Sequence, residues 1–178
     1  MGKFSKISAD AFKEIQFDAG MVLSKFDLTG AAEIADDDII CATSGGIQAS
    51  LTPSYTDYGE DIDNVPTNMM ELKEIESWEA KMSFTCLSVS LKAIKVAIGA
   101  ADITDTKVTP RAMLKTTDFA DIYWDGDMKD GGWACCKLMN APGTGGFCLL
   151  PNYKGEGQVS VEGTGAVFNN GLVCRTRG

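Results

Sequence analysis

Histidine does not occur in this 178-residue chain. Its absence removes the commonest general base at neutral pH and excludes Ser–His and Cys–His nucleophile pairs. The Cys-x-x-Cys spacing is missing too. Six cysteines (Cys41, Cys86, Cys135, Cys136, Cys148 and Cys174) lie scattered, and the adjacent Cys135 and Cys136 would point to opposite faces of a strand, which makes a local metal clip awkward. No apolar run approaches the roughly 18 residues of a membrane helix, and the opening MGKFSKISADAFKE lacks the apolar centre of a signal peptide. The expectation is a chain that stays in a cytoplasm, with no membrane insertion and with its thiols reduced and packed. Cations are also in deficit: 16 Lys and Arg against 25 Asp and Glu give a net charge of −9. A surface that grips nucleic acid through counterion release is therefore not expected.

Motifs that would carry chemistry are equally scarce. The run Gly143-Thr144-Gly145-Gly146 neither opens a helix nor precedes a Lys-Ser/Thr pair, so it is no phosphate loop or dinucleotide fingerprint. Ser44, beside Gly45 and Gly46, lacks the nucleophile-elbow pattern. Asp57, Glu60, Asp61 and Asp63 miss the alternate spacing and sixth-position glycine of a calcium loop. Asp121, Asp125, Asp127 and Asp130 sit in and around a Gly-rich turn, where aspartate is expected for local hydrogen bonding, and the triplet Asp36-Asp37-Asp38 reads as solvated surface. No catalytic residue, metal or cofactor is expected, and the chain is not read as an enzyme.

What is present is strand. From Trp78 to Cys86 the apolar Trp78, Ala80, Met82, Phe84 and Cys86 alternate with Glu79, Lys81, Ser83 and Thr85, the period of two of a strand with one buried and one wet face. Ile47 to Thr52 repeats the pattern, with Ile47, Ala49 and Leu51 opposed by Gln48, Ser50 and Thr52, and the two runs are expected to pair. Between them Pro53 to Met70 is rich in Asp, Asn, Tyr and Pro and is expected to project as a long loop. Leu72 and Ile75, three apart, break the alternation, so a bulge or register change is expected near Ser77. A short amphipathic helix is predicted over Ser90 to Ile98, with Leu91, Ile94 and Ile98 on one stripe, Ser88 or Ser90 capping its start and Gly99 its end.

The remainder also reads as strand and turn. Phe12 to Phe17, Met21 to Phe26 and Ile39 to Thr43 are predicted strands, a helical turn is placed at Ala31 to Ala35, and Ser44-Gly45-Gly46 marks a bulge or sharp bend. After a polar connector, Ala101 to Thr109, strands are expected at Ala112 to Lys115, Phe119 to Trp124, Trp133 to Met139, Phe147 to Leu150, Gln158 to Glu162 and Ala166 to Phe168. One domain over residues 1–168 is expected, with residues 169–178 as a C-terminal arm lacking any period. Many short strands and one helix indicate a mainly β fold: a β-sandwich or partly closed barrel with one flanking helix and a long inter-strand loop.

In its order of elements the chain resembles the major tail tube proteins of long-tailed bacteriophages, a family related in fold to the tube proteins of contractile tails and type VI secretion systems. The resemblance rests on Ile47-Gln48-Ala49-Ser50-Leu51-Thr52-Pro53, Leu72-Lys73-Glu74-Ile75 and Trp78 to Phe84, on the helix ending at Gly99, and on Gly157 to Gly165. It spans about Lys13 to Phe168. It implies stacked hexameric rings forming a hollow virion tail tube that conducts double-stranded DNA, assembled in the host bacterial cytoplasm. Its implied partners are further copies of the chain, a tape measure protein and tail tip or terminator proteins, with DNA passing transiently and without sequence specificity. Gln48, Ser50, Thr52, Glu79, Lys81, Ser83 and Thr85 would then line the lumen, while Ile47, Leu51, Trp78, Met82 and Phe84 would be core. The loop bearing Tyr55, Asp57, Tyr58, Glu60, Asp61, Ile62, Asp63 and Val65 would contact a neighbouring subunit. Lys81 departs from a DNA conduit's expected wall and requires either that Glu79 or another neighbour offset it or that the two faces be assigned the other way round.

A different class of function also fits a β-sandwich. In a carbohydrate-binding or adhesin-like module, Tyr123, Trp124 and Trp133 with the aspartate turns would form a ligand platform. The opposing reading places these aromatics in the core or a subunit interface.

Overall fold

The computed structural model describes residues 20–27, 29, 33–128, 131–150, 158–165 and 172–177, with residue 150 and the last segment described by backbone alone. The predicted strands at Phe12 to Phe17 and Ala166 to Phe168 fall outside these residues. Eight antiparallel strands form one sheet in the order β10-β7-β6-β1-β2-β3-β9-β8. They are β1 (Met21–Leu23), β2 (Ile39–Asp57), β3 (Lys73–Cys86), β6 (Ala120–Asp127), β7 (Trp133–Ala141), β8 (Cys148–Leu150), β9 (Gln158–Thr164) and β10 (Leu172–Arg177). A separate two-stranded ribbon joins β4 (Ala101–Thr104) to β5 (Lys107–Pro110), and α1 (Leu91–Ile98) is the one α-helix among the described residues.

The sheet becomes two layers because β2 changes partners partway along. Its beginning pairs with β1, Val22 facing Cys41, whereas Ile47 to Asp57 pairs with β3. The change occurs at the predicted bend: the register shifts between Thr43 and Ile47, and Gly45 and Gly46 both have φ of 76°, a left-handed conformation that strains any side chain with a Cβ. The folded halves then face one another. A Cβ at Gly163 of β9 would lie 3.6–3.7 Å from Ile122 of β6, Leu138 of β7 and Ala141. Met82, Phe84, Val159 and Val161 from one layer join Val22, Ile122, Trp124 and Leu138 from the other in a single buried cluster. The architecture is mainly β and not closed into a barrel.

Helix α1 closes one side of this core. Ser90 caps it, accepting from the Ala93 N–H at 3.0 Å and donating to the Ile40 carbonyl at 3.1 Å, while Gly99 ends it at φ 76°. The most deeply buried positions are Ala93 and Ala97, not the predicted stripe of Leu91, Ile94 and Ile98, which is half-buried. Small residues win because the backbone comes very close: a Cβ at Gly143 would lie 1.8 Å from the Val96 carbonyl oxygen.

Several local expectations change. Cys41 and Cys86 form a disulfide across the corner of the sandwich, with Cα atoms 5.6 Å apart, in place of the expected reduced thiols. Alternation marks a buried cysteine but not its spatial partner, here 45 residues away. The expected connector at Ala101 to Thr109 is the β4–β5 ribbon, turned by Asp105 at φ 51°. The expected strand at Ala112 to Lys115 is irregular and leads into a 3₁₀ turn, Thr116–Asp118. There Arg111 holds Asp118 through hydrogen bonds of 2.6 and 2.7 Å, and the Lys115 N–H adds one of 2.8 Å. Asp36–Asp38 forms a 3₁₀ turn with its first two residues exposed. Leu172–Arg177, within the expected arm, pairs along β7 as an edge strand.

Candidate functional site

The two longest described strands form the β2–β3 hairpin. Its two strands pair from Ile47 opposite Phe84 to Asp57 opposite Lys73. The partner of β3 on its other side, β9, stops at Thr164 opposite Lys81. Past that point the hairpin runs on, among the described residues, as a two-stranded ribbon. The predicted irregularity is present: Ser54 faces Ser77 but Tyr55 faces Ile75, so Glu76 is an extra residue in β3. This bulge keeps Leu51, Pro53 and Tyr55 on the same face as Ala80, Trp78 and Ile75. Pro53, without an N–H, is tolerated where, among the described residues, β2 has β3 as its only strand partner.

Each candidate for the polar stripe lies where the alternation put it. Gln48 faces Ser83, Ser50 faces Lys81 and Thr52 faces Glu79, so these six share one face across two strands. Thr85 continues it opposite Ser160 of β9. Sequence reasoning missed the extension onto β9, where Ser160, Glu162 and Thr164 lie opposite Thr85, Ser83 and Lys81. The alternation Val159-Ser160-Val161-Glu162 carried that signal. Among these ten side chains the charges are Glu79, Lys81 and Glu162. Lys81 and Glu79 make an ion pair of 3.1 Å, so the cation is offset by the neighbour expected to do so.

On the opposite face the core assignment holds for Met82 and Phe84, which are buried, and for Ile47, which packs partly buried against the core. It fails for Leu51 and Trp78, each 44% exposed. They lie on the outer ribbon beyond β9, where the described residues form no second layer behind them. With Tyr55 and Ile75, also exposed, they carry the apolar face of the core out into solvent.

The tip differs from a simple loop. Strand β2 extends to Asp57, so Tyr55 and Asp57 belong to the strand, and the connection is residues 58–69 followed by a 3₁₀ turn, Met70–Leu72. Asp57 organises it by accepting from the N–H groups of Gly59 at 2.9 Å and Asn68 at 2.8 Å. Asn64 and Asn68 take left-handed conformations, φ 65° and 70°. Glu60, Asp61, Ile62 and Asp63 are exposed, while Val65 is half-buried. Tyr58 donates to the Glu74 carboxylate at 3.2 Å. That negative charge raises the phenol's pKa above its ordinary value.

The aromatic platform of a ligand-binding module does not assemble. Trp124 is buried in the core, and Tyr123 points to the other face of β6, with the Lys137 ammonium 5.1 Å from its ring centre. Trp133 is half-buried against Phe26, edge to face at 5.2 Å. Asp125-Gly126-Asp127 lies within β6 and not in a turn. Asp121 pairs with Lys137 at 2.7 Å and accepts from the Asn140 N–H at 3.0 Å. Burial alone would raise its pKa, but these hydrogen bonds hold it below the usual carboxylate range. Among the described residues no three Cys, Asp or Glu side chains gather in a metal-holding group, and no helix is long and apolar enough to cross a membrane.

No family model matches the chain, and no curated protein matches it. Among solved structures it is similar to a chain from the tail of an empty GTA particle, determined by helical refinement with C6 symmetry. The two are 12% identical with a TM-score of 0.43, over 87% of this chain and 94% of that one.

Proposed function

We propose that the chain is a structural virion subunit that self-assembles into stacked hexameric rings, building the hollow tail tube through which bacteriophage DNA is ejected. The observation that carries this reading is the two-faced hairpin. One face is a hydroxyl-rich and nearly charge-balanced stripe, and the other extends the apolar core past the edge of the sandwich. A projecting ribbon with exposed apolar side chains and open strand edges is a template for association. Closed association of six copies would cover the apolar face and turn the polar face toward a common bore.

In that arrangement Gln48, Ser50, Thr52, Glu79, Lys81, Ser83 and Thr85 line the lumen, joined by Ser160, Glu162 and Thr164. A wall with one cation among ten polar side chains neither holds phosphate strongly nor repels it strongly, which suits non-specific passage of double-stranded DNA. The implied partners are further copies of the chain, a tape measure protein in the bore, and tip or terminator proteins at the tube ends. The place of action is the virion tail, after assembly in the host bacterial cytoplasm. The test is negative-stain electron microscopy of the purified chain over a range of concentrations. Hollow tubes or rings of constant width are expected, and monodisperse small particles at every concentration count against the reading.

A further inference from the structure

A single row of directly opposed residues crosses five strands of the sheet. Cys41 of β2 faces Val22 of β1, Val22 faces Trp124 of β6, Trp124 faces Cys136 of β7, and Cys136 faces Cys174 of β10. Directly opposed residues of antiparallel strands share a face, and this row runs along the core side: Cys41, Val22 and Trp124 are buried, and Cys136 packs partly buried against the same cluster. One end of the row is already a covalent link, since Cys41 is bonded to Cys86 of the facing layer. The other end is a second pair of cysteines, Cys136 and Cys174, where β10 forms an edge of the sheet.

The backbone register suits a bond at that second pair. Opposed Cα atoms in an antiparallel ladder lie about 4.5 or about 5.5 Å apart, and a disulfide spans Cα separations of about 4.4–6.8 Å, so either kind of ladder site can be bridged with the strands in place. The register also sets aside the other thiols. Cys135 lies opposite Asp125 and Arg175, on the other face of β7 from Cys136. Cys148 lies on β8, at the opposite end of the strand order from β10.

We infer that Cys136 and Cys174 are a second disulfide site, closed by thiol exchange with a small-molecule disulfide such as oxidised glutathione. One thiolate attacks the oxidant and releases a first glutathione thiol; the other attacks the mixed disulfide and releases a second. The two cysteines together lose two protons and two electrons, an S–S bond forms between them, and the S–S bond of the oxidant is reduced to two thiols. The bond has a mechanical consequence. Among the described residues β10 has β7 as its only strand partner, and a terminal edge strand is the element most readily lost to fraying or to exchange with another copy. With the bond closed, β10 stays on its own sheet. The inference does not depend on the tube-subunit reading.

Peptide mapping without reductant tests it, on the full chain folded and then treated with oxidised glutathione. A linked pair of peptides, one holding Cys136 and the other Cys174, is expected from the wild type and from Cys135→Ala. It should be absent from Cys136→Ala and Cys174→Ser, with far-UV circular dichroism confirming that each variant is folded. Hydrogen exchange of the β10 amides should be about tenfold or more slower in the oxidised wild type than in the reduced one, with no such difference in Cys174→Ser. A link that survives in Cys136→Ala and is lost in Cys135→Ala overturns the register. A wild type that takes up glutathione without forming the linked peptides overturns the site, and linked peptides with unchanged exchange overturn the hold on β10. Each of these results leaves the tube-subunit reading standing.

Discussion

Lys81 places its ammonium 3.1 Å from the carboxylate of Glu79, two residues back on the same face of β3. Both side chains are about half exposed, so the pair contributes only about 0.2–1 kcal/mol to folding. Its consequence is local neutrality on the polar stripe. Glu79→Lys is therefore expected to leave the thermal midpoint within a few degrees of wild type while adding two units of positive charge to that stripe. A chain that fails to fold would place Glu79 away from solvent.

The outer hairpin offers a contrast between folding and assembly. Leu51→Ser and Trp78→Ser remove side chains that are 44% exposed, and each should cost the isolated chain about 1 kcal/mol or less in urea denaturation. Assembly should suffer far more, because burying such a side chain fully contributes about 1.5–3 kcal/mol per copy. Equal losses in both measurements would refute the idea that this face is completed by another subunit.

Gly143 should tolerate nothing larger. Its added Cβ would lie 1.8 Å from the Val96 carbonyl oxygen, and backbone cannot move aside as a flexible side chain does. Gly143→Ala is expected to cost about 1–3 kcal/mol or more through displacement of α1, measured by chemical denaturation. The same change at Gly131, with open space around it, carries only the strain of its φ of 86°.

The Cys41–Cys86 disulfide closes a loop of 45 residues. Loop-closure entropy of that length corresponds to about 4 kcal/mol at 25 °C, with about 2–4 typical of measured cases. In a Cys174→Ser background the oxidised chain should unfold at higher denaturant than the reduced chain by that margin. Adding Cys86→Ser should abolish the difference. Thiol titration in denaturant checks the bond directly, since the oxidised chain should show two fewer reactive thiols than the reduced one.

Asp118 supplies a pH signature. The hydrogen bonds from Arg111, aided by the Lys115 N–H, hold its carboxyl below the usual range. The stabilisation from a lowered carboxyl pKa is present above the unfolded-state value and is lost as pH falls through the folded-state value. Stability should therefore decline on acidification below the ordinary carboxylate range. Asp118→Asn should flatten that acid limb in thermal melts taken between pH 6 and 3.

The hairpin's legibility had a simple origin. Gln48, Ser50 and Thr52 alternate with apolar neighbours, as do Glu79, Lys81 and Ser83, and a period of two admits one way to give such strands a wet and a dry face. The Ser44-Gly45-Gly46 bend and the Ser90 and Gly99 caps were legible because each depends on backbone chemistry within a few residues. The β4–β5 ribbon was not: Ile103 and Val108 are lone apolar residues among polar ones, too few to register as a period. Nor did alternation reveal that Asp57 closes the tip through the N–H groups of Gly59 and Asn68, since the second lies 11 residues away.

From its residue pattern alone the chain was committed to a mainly β fold, to one capped helix, to a bend at Gly45 and Gly46, and to which face of each long strand is polar. These follow from interactions between near neighbours, which a linear pattern records directly. Only the tertiary structure decided where each face ends up. Leu51 and Met82 both lie on the apolar face, yet Met82 is buried and Leu51 is exposed, because β9 ends opposite Lys81 and, among the described residues, no second layer continues behind the outer ribbon. The joining of Cys41 to Cys86 was decided in the same way. Burial and disulfide pairing depend on which distant segments the fold brings near, and no local period encodes that.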